Sequence, residues 1–274
     1  MDLGGLSLRE LLYRTTRESW KDAVFGQAGR MAFYQFLAIF PALLILHIAA
    51  QHVLGPGVQH SFAEAASKIL PRDVVDTIRS VIGNFHNVQL PGWRLLTSLA
   101  AIFWAGCNGT WAMIYGLNAA YEVRESRGVR ELAITIVGLT IALAIITSLA
   151  LGIVGALASL RLRVSPRLPL GLAQSLVLVA VLLFWFSILY RFAPSMKNKR
   201  WRWSTPGALL AVALWMGATL GTRLYFERIA NYHIYFGPLS GVAMLLLWLY
   251  VTNGAILIGG EMNSEIEKAA DDRH

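Results

Sequence analysis

Near the end of the 274-residue chain, the stretch GGEMNSEI places a carboxylate, Glu261, and a carboxamide, Asn263, where an apolar run passes into a charged tail. Such a pair can accept and donate hydrogen bonds, close a salt bridge or line an aqueous mouth. Two other stretches supply groups of the same kind. YGLNAAYEVRE carries Asn118, Tyr121 and Arg124 after the second apolar run, and Arg30 and Tyr34 stand at the start of the first. Together these residues are the candidates for a cytoplasmic polar layer. Two readings of Glu261 stay open. Either its helix has simply met water, or Glu261 takes hydrogen bonds or a salt bridge from Arg30, Asn118 and Arg124, with Asn263 closing the layer and Glu265, one turn on, in solvent.

A second constellation lies in TRLYFERIANYHIYFGPLSG, where Arg223 and Glu227 are four apart and Tyr232 and Tyr235 follow. On a helix that spacing lets opposite charges pair, which lowers the cost of holding either near lipid. These four residues are candidates for an outer mouth, and an aromatic belt at the membrane interface is the competing reading. No catalytic, cofactor-binding or metal-ligating residues are expected. The six histidines (His47, His52, His60, His86, His233 and His274) are scattered, and neither His-x-His nor Asp-x-Asp occurs. Cys107 is the single cysteine, which excludes an intramolecular disulfide and any CxxC motif.

The elements that must position these groups are apolar. Hydrophobic residues make up 56% of the chain and charged residues 15%, against about a quarter charged in soluble domains. Six stretches are long and apolar enough to span a bilayer: Met31–Leu54, Trp93–Leu117, Leu132–Ala158, Leu170–Phe192, Pro206–Glu227 and Leu239–Glu261. The expected fold is all-α, a polytopic membrane protein of six transmembrane helices with an N-terminal interfacial helix and a short outer helical hairpin. Residues 1–30 form the cytoplasmic interfacial segment, 31–263 the bundle with the hairpin inside 55–92, and 264–274 a cytoplasmic tail. Met31–Leu54 reads as an uncleaved signal anchor.

Charge placement sets orientation. With the N-terminus inside, 15 basic residues fall on cytoplasmic segments and 7 outside, with Arg94 and Arg223 at span ends. The positive-inside rule therefore places both termini in the cytoplasm and accounts for the net charge of +8 without nucleic acid. Residues 7 to 25 read as a helix with Ser7 and Glu10 in capping-box spacing, and Leu8, Leu11 and Leu12 grouped against Arg9, Arg14 and Arg17. Its basic face suits anionic lipid headgroups, the partner expected beside the bilayer itself. In the long outer loop, Val74, Val75, Ile78, Val81, Ile82 and Phe85 share one helical face, and Pro71 separates them from an earlier turn capped by Ser61 and Glu64. Pro41 inside the first span is a candidate kink. Ala213, Gly217 and Gly221 form a small-xxx-small ladder expected to let helices approach closely. No internal repeat is visible, and oligomeric state is left open.

The stretches AFYQFLAIFPALL, YGLNAAYEVRE, RFAPSMKNKRWRWSTPGALLAVALW and NYHIYFGPLSGVAMLLLWLY…GGEMNSEI, in this order, resemble the YihY/virulence-factor BrkB family. The resemblance implies a multi-pass bacterial inner-membrane protein of six spans. The family's Gly-x-Glu-x-Asn pattern falls on Gly259 or Gly260, Glu261 and Asn263, its Asn-x-x-Tyr on Asn118 and Tyr121, and its Phe-Pro on Phe40 and Pro41; Met262 stands where Leu is more usual. The family has also carried the label ribonuclease BN. The residues argue against nuclease chemistry, which needs clustered carboxylates or histidines holding metal ions about 4 Å apart. Two function classes lead, and a third, a membrane-embedded enzyme, stays remote because no nucleophile–base or metal constellation is in the sequence. One is a transporter or facilitator of a small solute or lipid, not ion-coupled because every Asp and Glu sits near a span end or in a loop. The other is a non-transporting envelope, scaffold or virulence (serum-resistance) factor that works through partners.

Overall fold

Ser7 starts the first helix by accepting a hydrogen bond from the Glu10 backbone N–H at 3.2 Å, so one of the orphan donors of the first turn is satisfied. The Glu10 carboxylate does not return to the cap, as a full capping box would require; it meets Arg14 at 2.6 Å. In the computed structural model, which describes residues 5–49, 92–163, 170–196, 206–228 and 240–271, this helix is α1, Leu8–Lys21. It is followed by α2 (Val24–Ala49), α3 (Gly92–Ala120), α4 (Val129–Arg163), α5 (Leu170–Phe192), α6 (Pro206–Arg228) and α7 (Ser240–Asp271). The described residues are all helix or connection. Residues 55–91, which hold the expected hairpin, lie outside them, as do Tyr232 and Tyr235.

Helices α2 to α7 pack in chain order around a ring that closes where α7 meets α2, and α7 also reaches α3. Their lengths run from 23 to 35 residues. At 1.5 Å per residue, even the shortest exceeds the ~30 Å of a hydrocarbon core. By apolar composition as well as length, Val129–Thr147 in α4 and Gly241–Ala270 in α7 qualify as membrane spans among the described residues. The first faces outward, with Ile134, Ile141 and Ile145 exposed. The second is the hub.

Around α7 the main core gathers Met31, Ile114, Leu117, Phe186, Leu189, Tyr190, Ile256 and Leu257. In lipid such contacts gain little from water exclusion, so association rests on close packing and interhelical hydrogen bonds. Glycines set the closest approaches. A Cβ on Gly207 of α6 would collide with the carbonyl of Gly259 and lie 2.6 Å from Asn263, and one on Gly259 would collide with the Tyr190 hydroxyl. The expected small-xxx-small ladder plays no such part. Ala213, Gly217 and Gly221 face outward, and a Cβ on either glycine would meet nothing within 4 Å. The backbone of α2 stays helical through Pro41.

At one end α1 lies across α7. Leu11 packs on Met262 and Ile266, while Thr15 and Ser19 return their hydroxyls to backbone carbonyls one turn back. Asp22 closes α1, and Ala23, at φ 49°, turns the chain into α2. The helix α7 continues past Glu261 to Asp271, so residues beyond 263 extend the same rod under α1.

Candidate functional site

The antiparallel seam between α2 and α7 carries the first polar pair. Gln35 donates to the Asn253 carboxamide oxygen at 3.0 Å and accepts from the Asn253 amide at 2.8 Å. Asn253 is fully buried and also donates to the Leu249 carbonyl. A reciprocal amide pair leaves few unmet groups, which is what a polar residue within an apolar bundle requires. Nearby, the hydroxyls of Thr110 and Thr140 join α3 to α4 at 2.7 Å.

Eight residues beyond Asn253, about 12 Å along the helix, comes Glu261. Its side chain is 0% exposed, and among the described residues no donor reaches either carboxylate oxygen. The group within hydrogen-bond reach is another carboxyl, that of Asp22. The expectation that Arg30, Asn118 and Arg124 serve Glu261 is therefore corrected. Arg30 lies over the rings of Trp111 and Tyr115, 5.0 and 4.4 Å from their centroids, where cation–π attraction holds it. Arg124 is exposed, and Tyr34 packs edge-on to Phe33.

Asn118 serves a different knot. Its amide donates to Glu125 at 2.9 Å and its carbonyl accepts from the Ser195 backbone N–H at 2.8 Å, tying the end of α3 to the end of α5. Arg127 completes it with a 2.6 Å ion pair to Glu125 and a 2.9 Å bond to the Ala193 carbonyl. Its guanidinium holds the Glu125 carboxyl down at about 2, well below the usual carboxylate range. Asn263 does a third job. Its oxygen accepts from the Gly207 N–H at 2.9 Å, capping the N-terminus of α6, while Tyr121 is buried beside it. On α5, Tyr190 donates to the Ile256 carbonyl at 2.7 Å.

Glu265 is the other correction. It is 6% exposed rather than in solvent, and accepts from Lys268 at 3.0 Å; Lys268 also meets Glu122 at 3.0 Å. Depth in the sequence placed Arg30, Tyr34, Asn118, Tyr121, Arg124, Glu261 and Asn263 in one layer; the structure sets Tyr121 beside Asn263 and turns Asn118 and Arg30 to other partners. Depth did not assign partners. The residues it missed are Asp22, Gln35, Glu125, Lys268 and Asn253, and only the two amides, Gln35 and Asn253, carried a signal, as isolated polar residues within apolar runs. Arg223 and Glu227 both fall on α6, one turn apart, with their side chains outside the description.

Among the described residues, an all-helical bundle with leucine, isoleucine and phenylalanine on its outer faces, and with most polar side chains turned to partners inside it, is built as a membrane protein. The chain belongs to the Virulence factor BrkB family, whose match spans residues 15–274. It is 30% identical over 281 residues to the "Putative ribonuclease-like protein YfkH" of Bacillus subtilis, covering 95% of both chains. It is 26% identical over 265 residues to "UPF0761 membrane protein RSc1559" of Ralstonia nicotianae, covering 92% of this chain and 57% of that one. The chain thus spans little more than half the length of the second relative. No solved structure matches.

Proposed function

We propose that the chain is a multi-pass inner-membrane protein of six spans that facilitates passage of a small solute or lipid without ion coupling. The observation that carries this reading is the polar seam of α2 and α7, from Asp22 and Glu261 at one end to Gln35 and Asn253 deeper in the bundle. An ionisable group held inside a span is costly and is read as a mark of a functional pathway. Both termini are taken as cytoplasmic on the basic count of 15 against 7. On α1, exposed Leu8, Leu12, Tyr13 and Trp20 stand beside Arg9 and Arg17, a surface suited to anionic headgroups. Nuclease activity, which the name of the Bacillus relative raises, is set aside because the histidines are scattered along the sequence.

The test is flux in proteoliposomes containing the purified chain, screened with small solutes and fluorescent lipids. Flux is expected without an ion gradient and falls when Asn253 is replaced by Leu. A protein that moves nothing across the panel would instead fit the family's other reading, an envelope or virulence factor working through partners.

A further inference from the structure

The meeting of Asp22 with Glu261 is unusual because no cation is spent on it. The pair sits where the α1–α2 turn presses on α7, with Glu261 wholly buried and Oδ2 of Asp22 buried beside it. The groups facing the pair are known from every helix that packs there. Glu18 comes from α1 and is held by Lys21 at 2.6 Å. Tyr121 and Glu122 come from the end of α3, and Glu265 and Lys268 from α7 itself. From α2, Arg30 is turned onto Trp111 and Tyr115. The start of α6 brings Gly207, Ala208 and Ala211, none of which titrates. Lys268 is the cation in the group, and its ammonium is already divided between Glu122 and Glu265, each at 3.0 Å.

Two carboxylates in contact repel, and a buried carboxylate without a donor is costly. Two carboxyls that hold one proton form a strong, charge-assisted hydrogen bond. The end of a helix adds to the preference, since Asp22 closes α1 at the negative pole of its dipole. We propose that Asp22 and Glu261 together form a proton-binding site, and that the shared proton latches the α1–α2 corner to α7. Release of that proton leaves two like charges in contact and parts the corner from α7. Burial pushes the Asp22 carboxyl above its usual value against the opposing hydrogen bond with Glu261; the charges of Glu122 and Glu18 raise it further and that of Lys268 lowers it. The site stands on this geometry whatever passes through the bundle.

The sign of the pH dependence follows from linkage. Folding raises the affinity of the Asp22 carboxyl for a proton, so the stability it contributes is fully present at low pH. It is lost as pH rises through the folded value. The purified full-length chain in lipid nanodiscs at neutral pH is expected to show the infrared carbonyl band of a protonated carboxylic acid. That band is lost in Glu261→Gln and in Asp22→Asn. The wild-type melting temperature is expected to fall as pH rises above the ordinary carboxylate range. Both variants flatten that slope, whereas Glu265→Gln, whose carboxyl meets Lys268, retains it. Should neither variant fold, the wild-type band decides, by disappearing in step with the melting temperature as pH rises. A wild type with no acid band at neutral pH overturns the site, as does a band that persists in both variants or does not respond to pH. Stabilisation by sodium in place of protons overturns it as well.

Discussion

Asn118 shows at the scale of one residue why a polar side chain within an apolar helix end is retained. Both halves of its carboxamide are used, toward Glu125 a short way along the chain and toward the Ser195 backbone, which is far from it in sequence. Glu125 is the titratable member of that knot. Its carboxyl is held at about 2 against an ordinary 4.5, first by the hydrogen bond from Arg127, so its contribution to stability is present above 4.5 and is lost as pH falls toward 2. The wild-type melting temperature should therefore drop on acidification through that window, and Glu125→Gln should blunt the drop. Fluorescence melts at a series of pH values measure this, and an unaltered acid limb would assign it to other carboxylates. The acid limb of Glu125 and the alkaline limb of the Asp22–Glu261 pair run in opposite directions, so one pH series separates them.

Between elements, the closeness of α6 and α7 depends on atoms that are absent. Gly207→Ala or Gly259→Ala would place a methyl group against backbone and wedge the helices apart, with an expected loss of about 1–3 kcal/mol. Gly217→Ala, on the outer face with nothing within 4 Å, should leave the melting temperature within error of wild type. Equal losses at both positions would relocate the interface. The α2–α7 seam invites a different comparison. Gln35→Leu or Asn253→Leu alone strands the partner amide in an apolar setting, at about 1–3 kcal/mol each. The double replacement removes both polar groups and should cost less than the two singles added together, with a coupling of about 0.5–3 kcal/mol. Unfolding measurements on the four proteins of that cycle give the answer, and strict additivity would mean that the two amides act independently.

For the whole molecule, orientation is the property most open to direct test. In a Cys107→Ala background, a cysteine at Val88 should react with an impermeant maleimide added to intact cells, as the basic-residue count requires. Labelling only after lysis would reverse the assignment. That count, like the helical class, could be read from the sequence, because periodicity, apolar run length and charge bias are local properties. Ser7 as the cap of α1 was legible for the same reason. Partner choice was not. Glu261 meets Asp22 instead of Arg30 or Arg124 because α1 folds back across α7, and Arg30 finds two aromatic rings on α3. Glu265, which hydropathy assigns to water, is buried because α7 continues as a helix to Asp271. The Gly217 ladder has the spacing of an interface but lies on the outside, since which face of a helix turns inward depends on all its neighbours together. Composition determined that this chain is a helical membrane protein; tertiary packing alone decided which buried carboxyls would have to meet, because the distance between residues far apart in sequence is set only when the ring of helices closes.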